Sequence, residues 1–124
     1  MVISIIVPAE VEQVATRGAE ALKETGEQIV YVDCNAVAPN TALAICRTIE
    51  QAGSRFVDAG IIGPPPRREG TTRFYASGPD AAQFETLRDV GLDIRVIGRK
   101  IGQASGLKMC YAALTKGIAA LSTE

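Results

Sequence analysis

The chain has no histidine. That removes the commonest general acid–base, the commonest zinc ligand and every Ser-His or Cys-His nucleophile pair, so hydrolases of those types are excluded and no metal site is expected. Cysteine is scarce: Cys34, Cys46 and Cys110 are odd in number and show no C-x-x-C spacing. They are expected as reduced, buried thiols of a cytoplasmic protein. No apolar run approaches the ~20 residues that span a bilayer, and Met1-Val2-Ile3-Ser4-Ile5-Ile6-Val7 lacks the basic leader of a secretory signal, so a soluble, unprocessed chain is expected. Net charge is nearly absent as well: 13 Lys and Arg against 14 Asp and Glu leave −1, which gives no sequence-wide attraction to nucleic acid or to a membrane surface. Finally, no Gly-x-Gly-x-x-Gly turn occurs, so the usual cradle for a dinucleotide diphosphate is missing.

What is present is globular. With 124 residues, 47% apolar and 22% charged, the sequence fits one domain with a single core. Residues 2–7 form a continuous β-branched run ended by Pro8, the pattern of a strand covered on both faces. Val11, Val14, Ala15, Gly18, Ala21 and Leu22 make a helical stripe that stops at Gly26. A second strand follows at 29–32. Pro39 suits a first helical turn, and Ala42, Ile45, Cys46 and Ile49 recur at helical spacing until Gly53. A third strand is predicted at 55–58, and a loop at 59–70.

Beyond the loop, residues 72–76 alternate in polarity, as a half-exposed strand would near a sheet edge or in antiparallel pairing. Gly78-Pro79-Asp80 opens a helix with Ala81, Phe84 and Leu87 on one face, Gly91 closes it, and a last strand covers 94–97. The final helix, about 102–122, carries a stripe of Leu107, Tyr111, Leu114, Ile118 and Leu121. The expected fold is α/β: the distal half of a Rossmann-like doubly wound sheet, with a mixed β extension and a long C-terminal helix. Residues 1–58 supply a parallel βαβαβ unit, 59–100 the mixed strand-helix-strand extension and 101–124 the lysine-bearing helix, all within one partial domain. Ligands in such sheets bind beyond the carboxyl ends of the strands, here Pro8-Ala9, Asp33-Cys34-Asn35 and Gly60 to Pro66, so these loops should converge. Lys108, one turn into the last helix, is the candidate proton donor or acceptor facing them.

The segments Val2 to Pro8, Val32-Asp33-Cys34-Asn35-Ala36-Val37-Ala38-Pro39, Phe56-Val57-Asp58-Ala59, Gly70-Thr71-Thr72 and Gly102 through Lys108 occur in the order found in β-hydroxyacid dehydrogenases, which include 3-hydroxyisobutyrate and 6-phosphogluconate dehydrogenases. The wording Asp-Ala-Gly-Ile-Ile-Gly-Pro-Pro and Gln-Ala-Ser-Gly-Leu-Lys-Met-Cys-Tyr resembles a subgroup of NAD(P)-dependent oxidoreductases. The resemblance implies a central portion of such a protein. Met1 falls inside what corresponds to the fourth strand, and the glycine turn and the all-helical domain that follows the lysine helix have no counterpart. Activity and binding of NAD or NADP by this chain alone are therefore not expected.

Residue by residue, the resemblance makes Lys108 the catalytic lysine that hydrogen-bonds the substrate hydroxyl, against the alternative of a solvated helix lysine. Asp58 to Pro66 correspond to the family's carboxylate-binding Asp-Ala-Pro-Val-Ser-Gly-Gly, which implies substrate contacts from Gly60, Ile62 and Gly63. Here Gly60 replaces proline, Ile62 serine and Pro64 the second glycine; isoleucine has no hydroxyl and proline no N–H, so a different substrate or none is expected. A rigid turn at a sheet edge is the alternative. Asn35 stands for the serine of a Ser-Thr pair that touches both substrate and cofactor, or else forms a structural Asx-turn. Val7 and Pro8 complete the implied cofactor contacts. Tyr111 and Ala112 replace a family Asn-Asn pair. Arg67, Arg68 and Arg73 are able to grip an anion, although loop arginines are most often solvated. Two functions stay open: hydride transfer from a small hydroxy acid, or a non-catalytic dimeric assembly or small-ligand module. In either case an apolar strand at 2–7 left on a sheet edge, or the stripe of the last helix, is expected to make a homodimer.

Overall fold

The computed structural model describes residues 1–65, 67 and 71–122; Pro66, Arg68, Glu69, Gly70, Thr123 and Glu124 lie outside the described residues, and with them the expectations for Arg68, Gly70 and the end of the proline run. Strand β1 is Val2–Ser4. A single 3-10 turn, Pro8–Glu10, leads into α1, Val11–Thr25, which Gly26 ends in a left-handed conformation with its N–H on the Leu22 carbonyl. β2 (Val30–Asp33), α2 (Pro39–Gln51) and β3 (Arg55–Ile62) complete a βαβαβ unit. β4 (Arg73–Ser77), α3 (Ala81–Glu85, continued as a 3-10 segment Thr86–Val90), β5 (Asp93–Gly98) and α4 (Gln103–Ser122) follow.

The five strands form one mixed sheet in the order β1-β2-β3-β4-β5. β1, β2 and β3 are parallel; β4 runs antiparallel to β3 and parallel to β5. This is a Rossmann-like α/β sheet with a mixed extension and a C-terminal helix, as the alternation of periods in the sequence requires. On one face Tyr31 and Phe56 stack with ring centroids 6.1 Å apart beneath Val11, Ala15 and Ala19 of α1 and Ala42, Ile45, Cys46 and Ile49 of α2. On the other, Val32, Val57, Ala59, Phe74, Ala76 and Ile94 bury against Ala81 and Phe84 of α3. Strand residues therefore have cores on both sides, which is why Val30-Tyr31-Val32 and Phe56-Val57 are consecutive apolar residues rather than alternating ones.

Two expected boundaries are corrected. The first strand stops at Ser4 instead of Val7, because β2 offers no ladder beyond Asp33. The Ile6 N–H is taken by the Asn35 side chain at 2.6 Å, and the chain turns out toward Pro8. The third strand runs to Ile62, because the hairpin with β4 pairs Asp58 to Ile62 against Ser77 to Arg73. Gly60 and Ile62 are thus strand residues, and the connecting loop begins only at Gly63.

The last helix departs from the body after its first turns. Gly102, Ala104 and Ser105 are buried, whereas Met109, Cys110, Tyr111, Leu114, Ile118 and Leu121 are exposed. The expectation of three buried thiols fails at Cys110 for this reason; Cys34 and Cys46 are buried. Among the described residues no helix is long and apolar enough to cross a membrane, and no cluster of potential metal ligands occurs.

Candidate active site at the head of the lysine helix

The side chains of Ser4, Asp33, Asp58 and Ser77 line up on one row across β1, β2, β3 and β4, because each is the register partner of the next. All four are buried. Ser4 and Asp33 are the last residues of β1 and β2, where an open α/β sheet presents its crevice, Asp58 lies midway along β3 and Ser77 ends β4.

Asp58 governs the entry of α4. Its Oδ2 accepts the Gly102 N–H at 2.9 Å, the Ser105 N–H at 3.0 Å and the Ser77 hydroxyl at 3.3 Å, and its Oδ1 accepts the Ser105 hydroxyl. The Ser77 hydroxyl oxygen in turn accepts the Ala104 N–H at 2.9 Å. Three of the amide groups that a helix start leaves without intrahelical acceptors are thereby satisfied by two strands rather than by a local cap. The anionic carboxylate also opposes the positive end of the helix dipole.

This anchor sets Lys108. The helix lies so close to β3 that a Cβ built on Gly60 would stand 3.1 Å from the Lys108 Cβ and 3.6 Å from the Ala104 carbonyl oxygen. Only glycine admits that approach without displacing the helix. The half-buried Lys108 then donates from Nζ to the Ile61 carbonyl at 2.6 Å. Its ammonium therefore sits beside the end of β3, with two further N–H donors for a ligand oxygen.

The other site candidates lie on the β3–β4 hairpin and beyond the ends of β1 and β2. Ile62 is half-buried and Gly63 and Pro64 are exposed at the mouth of the hairpin. Gly63 has φ 118°, and a Cβ there would meet the Thr71 carbonyl oxygen at 2.5 Å, so the turn itself demands glycine. The Thr72 hydroxyl donates to the Pro64 carbonyl and closes the loop. Asn35 is 4% exposed, and its side chain is engaged at both ends, accepting from Ile6 N–H and donating to the Ser4 hydroxyl at 3.1 Å. It joins the ends of β1 and β2 and is not presented to solvent. Val7 and Pro8 are exposed next to it. Among the described residues, none at these strand ends forms a glycine-rich turn for a diphosphate.

Asp33 and Asp58 are adjacent but unequal. Asp33 Oδ1 accepts the Asn35 N–H at 2.9 Å, whereas Oδ2 is buried without a partner. Burial raises its pKa above the usual carboxylate value; the Asn35 hydrogen bonds oppose the shift and the neighbouring Asp58 adds to it. Burial, with the same two carboxylates, pushes the Cys34 thiol up to about 12. That thiol is inert rather than nucleophilic.

Sequence reasoning placed the lysine and its strand, but it missed the roles of Asp58, Ser77 and Ser105. The available signal was a lone carboxylate at the end of an apolar strand, a residue that stays buried only when donors surround it. Arg73, grouped with loop arginines, belongs to β4.

A mixed α/β sheet whose last helix is anchored over the strand ends and brings one lysine to them has the layout of a nucleotide-dependent dehydrogenase domain. Residues 1–102 match the NAD binding domain of 6-phosphogluconate dehydrogenase, and the chain belongs to that family. Over all 124 residues it is 36% identical to an uncharacterized 28.5 kDa protein of Methanothermus fervidus, of which it covers 45%. It is 24% identical, over 65% of this chain and 26% of the relative, to the mitochondrial 3-hydroxyisobutyrate dehydrogenase of Drosophila melanogaster. Among solved structures, a conserved protein of unknown function with structural similarity to 3-hydroxyacid dehydrogenases superimposes with a TM-score of 0.81 at 37% identity, over 98% of this chain and 44% of that one. The chain thus spans less than half the length of the curated relatives it matches.

Proposed function

We propose that this chain is the lysine-bearing part of an NAD(P)-dependent oxidoreductase that moves hydride between a small hydroxy acid and the nicotinamide. Lys108 exchanges the hydroxyl proton. The observation that carries the reading is the Lys108 ammonium on the Ile61 carbonyl at 2.6 Å, held there by the Asp58 anchor of α4. A bound nicotinamide would supply the hydride acceptor; Lys108 would orient the hydroxyl, taking its proton as the neutral amine in the oxidative direction and returning it as the ammonium in the reductive one. Ile62 and Pro64 supply neither a hydroxyl nor a backbone N–H, so the substrate acid is not gripped at those two positions.

The test is NAD(P) reduction by a panel of short hydroxy acids, with NADH and NADPH fluorescence titrations alongside. Lys108→Ala is expected to abolish any such reduction while leaving the circular dichroism unchanged and the melting cooperative. Reduction that persists in the variant overturns the assignment of Lys108.

The engagement of Asn35 by the chain itself favours a second reading, a non-catalytic assembly or small-ligand module on the same fold. It is distinguished by ligand binding without hydride transfer at any cofactor concentration. Both readings include a homodimer. β1 is an edge strand with Val2 and Ile3 exposed, and the outer turns of α4 are apolar and exposed. A stable monomer by light scattering at high protein concentration overturns the dimer.

A further inference from the structure

Between the second half of α1 and the free edge of β1 lies an apolar recess of about 300 Å³, at the lower bound of the ~300–1,000 Å³ typical of small-molecule sites. Its walls are Val2, which begins β1, Ala21 and Leu22 of α1, and Ile29 and Tyr31 at the start of β2. Val2 and Tyr31 are register partners, so both side chains lie on the sheet face that α1 covers. The recess is therefore at the starts of the parallel strands. Lys108 and its anchor are not among its walls.

Two of its members are informative. Gly18 stands inside α1, where glycine destabilises a helix relative to alanine, yet no left-handed φ requires it. A Cβ built there would meet only Tyr31 Cε2, at 3.8 Å, an ordinary van der Waals contact. The fold has room for a side chain at this position, and what the glycine preserves is the open space beside the tyrosine ring. Glu27 supplies the charge. Its side chain is exposed, it forms no ion pair among the described residues, and no lysine or arginine lines the recess with it. An apolar slot bearing one unpaired carboxylate complements a cation attached to an apolar body.

We infer that this recess binds a small organic ammonium ion, its apolar body between Val2, Leu22 and Tyr31 and its charge on Glu27. The inference goes beyond the hydride-transfer reading and uses none of its residues.

Three matched probes test it by ¹H–¹⁵N chemical-shift titration of the uniformly labelled chain: 2-phenylethylammonium, its neutral counterpart 2-phenylethanol, and ethylammonium. The first is expected to bind about 3-fold more tightly than the alcohol, the increment of an exposed ion pair, and at least ~10-fold more tightly than ethylammonium, which lacks the ring. Shifts should centre on Gly18, Leu22, Glu27 and Tyr31. Glu27→Gln, at an exposed side chain, should reduce 2-phenylethylammonium to the level of the alcohol and leave the alcohol unchanged. Gly18→Leu should fill the slot and weaken both aryl probes at least ~10-fold. Gly18→Ala should raise the melting temperature; a lowered one would show that packing itself demands the glycine and would remove the argument for an occupant. Lys108→Ala should leave all three probes unchanged, so the hydride-transfer reading stands or fails on reduction rates alone. Equal affinities for the three probes, shifts centred elsewhere in the chain, or no shifts at millimolar concentrations overturn the assignment.

Discussion

Replacing Asp58 with alanine should be far more damaging than replacing its neighbour Asp33 with asparagine, although both carboxylates are buried on the same row. The Asp58 carboxylate accepts four hydrogen bonds, two from backbone amides at the start of α4 and two from buried serine hydroxyls. Loss of a helix cap alone costs about 0.5–2 kcal/mol. Each buried donor left without an acceptor adds about 1–3 kcal/mol, offset where a serine hydroxyl rotates to another acceptor. With the two amides orphaned and the hydroxyls largely reoriented, Asp58→Ala should lose about 3–5 kcal/mol, a large part of the ~5–15 kcal/mol that holds a domain together. Asp33→Asn keeps the acceptor for the Asn35 N–H and replaces an oxygen that has no partner, so its stability should stay within about 1 kcal/mol of the parent. Urea denaturation followed by circular dichroism at neutral pH measures both. An Asp58→Ala variant within ~1 kcal/mol of the parent, or an Asp33→Asn variant equally destabilised, would refute the cap as the anchor of α4.

Asp33 should also give stability a pH signature. Its folded pKa lies above the unfolded value near 3.8, so from about that pH upward the native state holds a proton the unfolded chain has released. Stability then falls as pH rises until the folded pKa is passed; Asp33→Asn should lack this fall in denaturation curves collected from pH 3 to 8. Gly60→Ala should push α4 off β3 through the 3.1 Å contact with Lys108 and destabilise by about 1–3 kcal/mol, measured in the same assay; an unchanged midpoint would contradict the packing. In the native protein Cys110 should react with an aromatic disulfide reagent at once. Cys34 and Cys46, buried and with thiols pushed up to about 12, should react only on unfolding, so that mass spectrometry finds one rapid adduct.

Much of the architecture was legible because period and punctuation agree: the stripe from Val11 to Leu22 ends at Gly26, which adopts the left-handed conformation that stops α1, and Pro39 opens α2. Failures fall where distant pairing decides. Gly60 inside Asp58-Ala59-Gly60-Ile61-Ile62 reads as a loop signal, yet the hairpin with β4 holds it in a strand, and the glycine serves the approach of α4 rather than a turn. Asn35, read as a ligand contact or a local turn, ties two strand ends together across 29 and 31 residues of sequence, a span no local pattern reveals. The Lys108 neighbourhood was placed through its motif, but the carboxylate that fixes it lies 47 residues upstream of Ser105, and only the register of four strands brings the two together.

The grip on the first turn of α4 makes the remainder of that helix a lever with its fulcrum at Ser105. At 1.5 Å per residue, Lys108 rides about 4.5 Å from the fulcrum and Leu121 about 24 Å from it, a gearing of roughly five to one. A displacement of ~1 Å imposed on the outer turns reaches the lysine backbone as only ~0.2 Å. The amine is therefore set finely even where the outer turns are set coarsely.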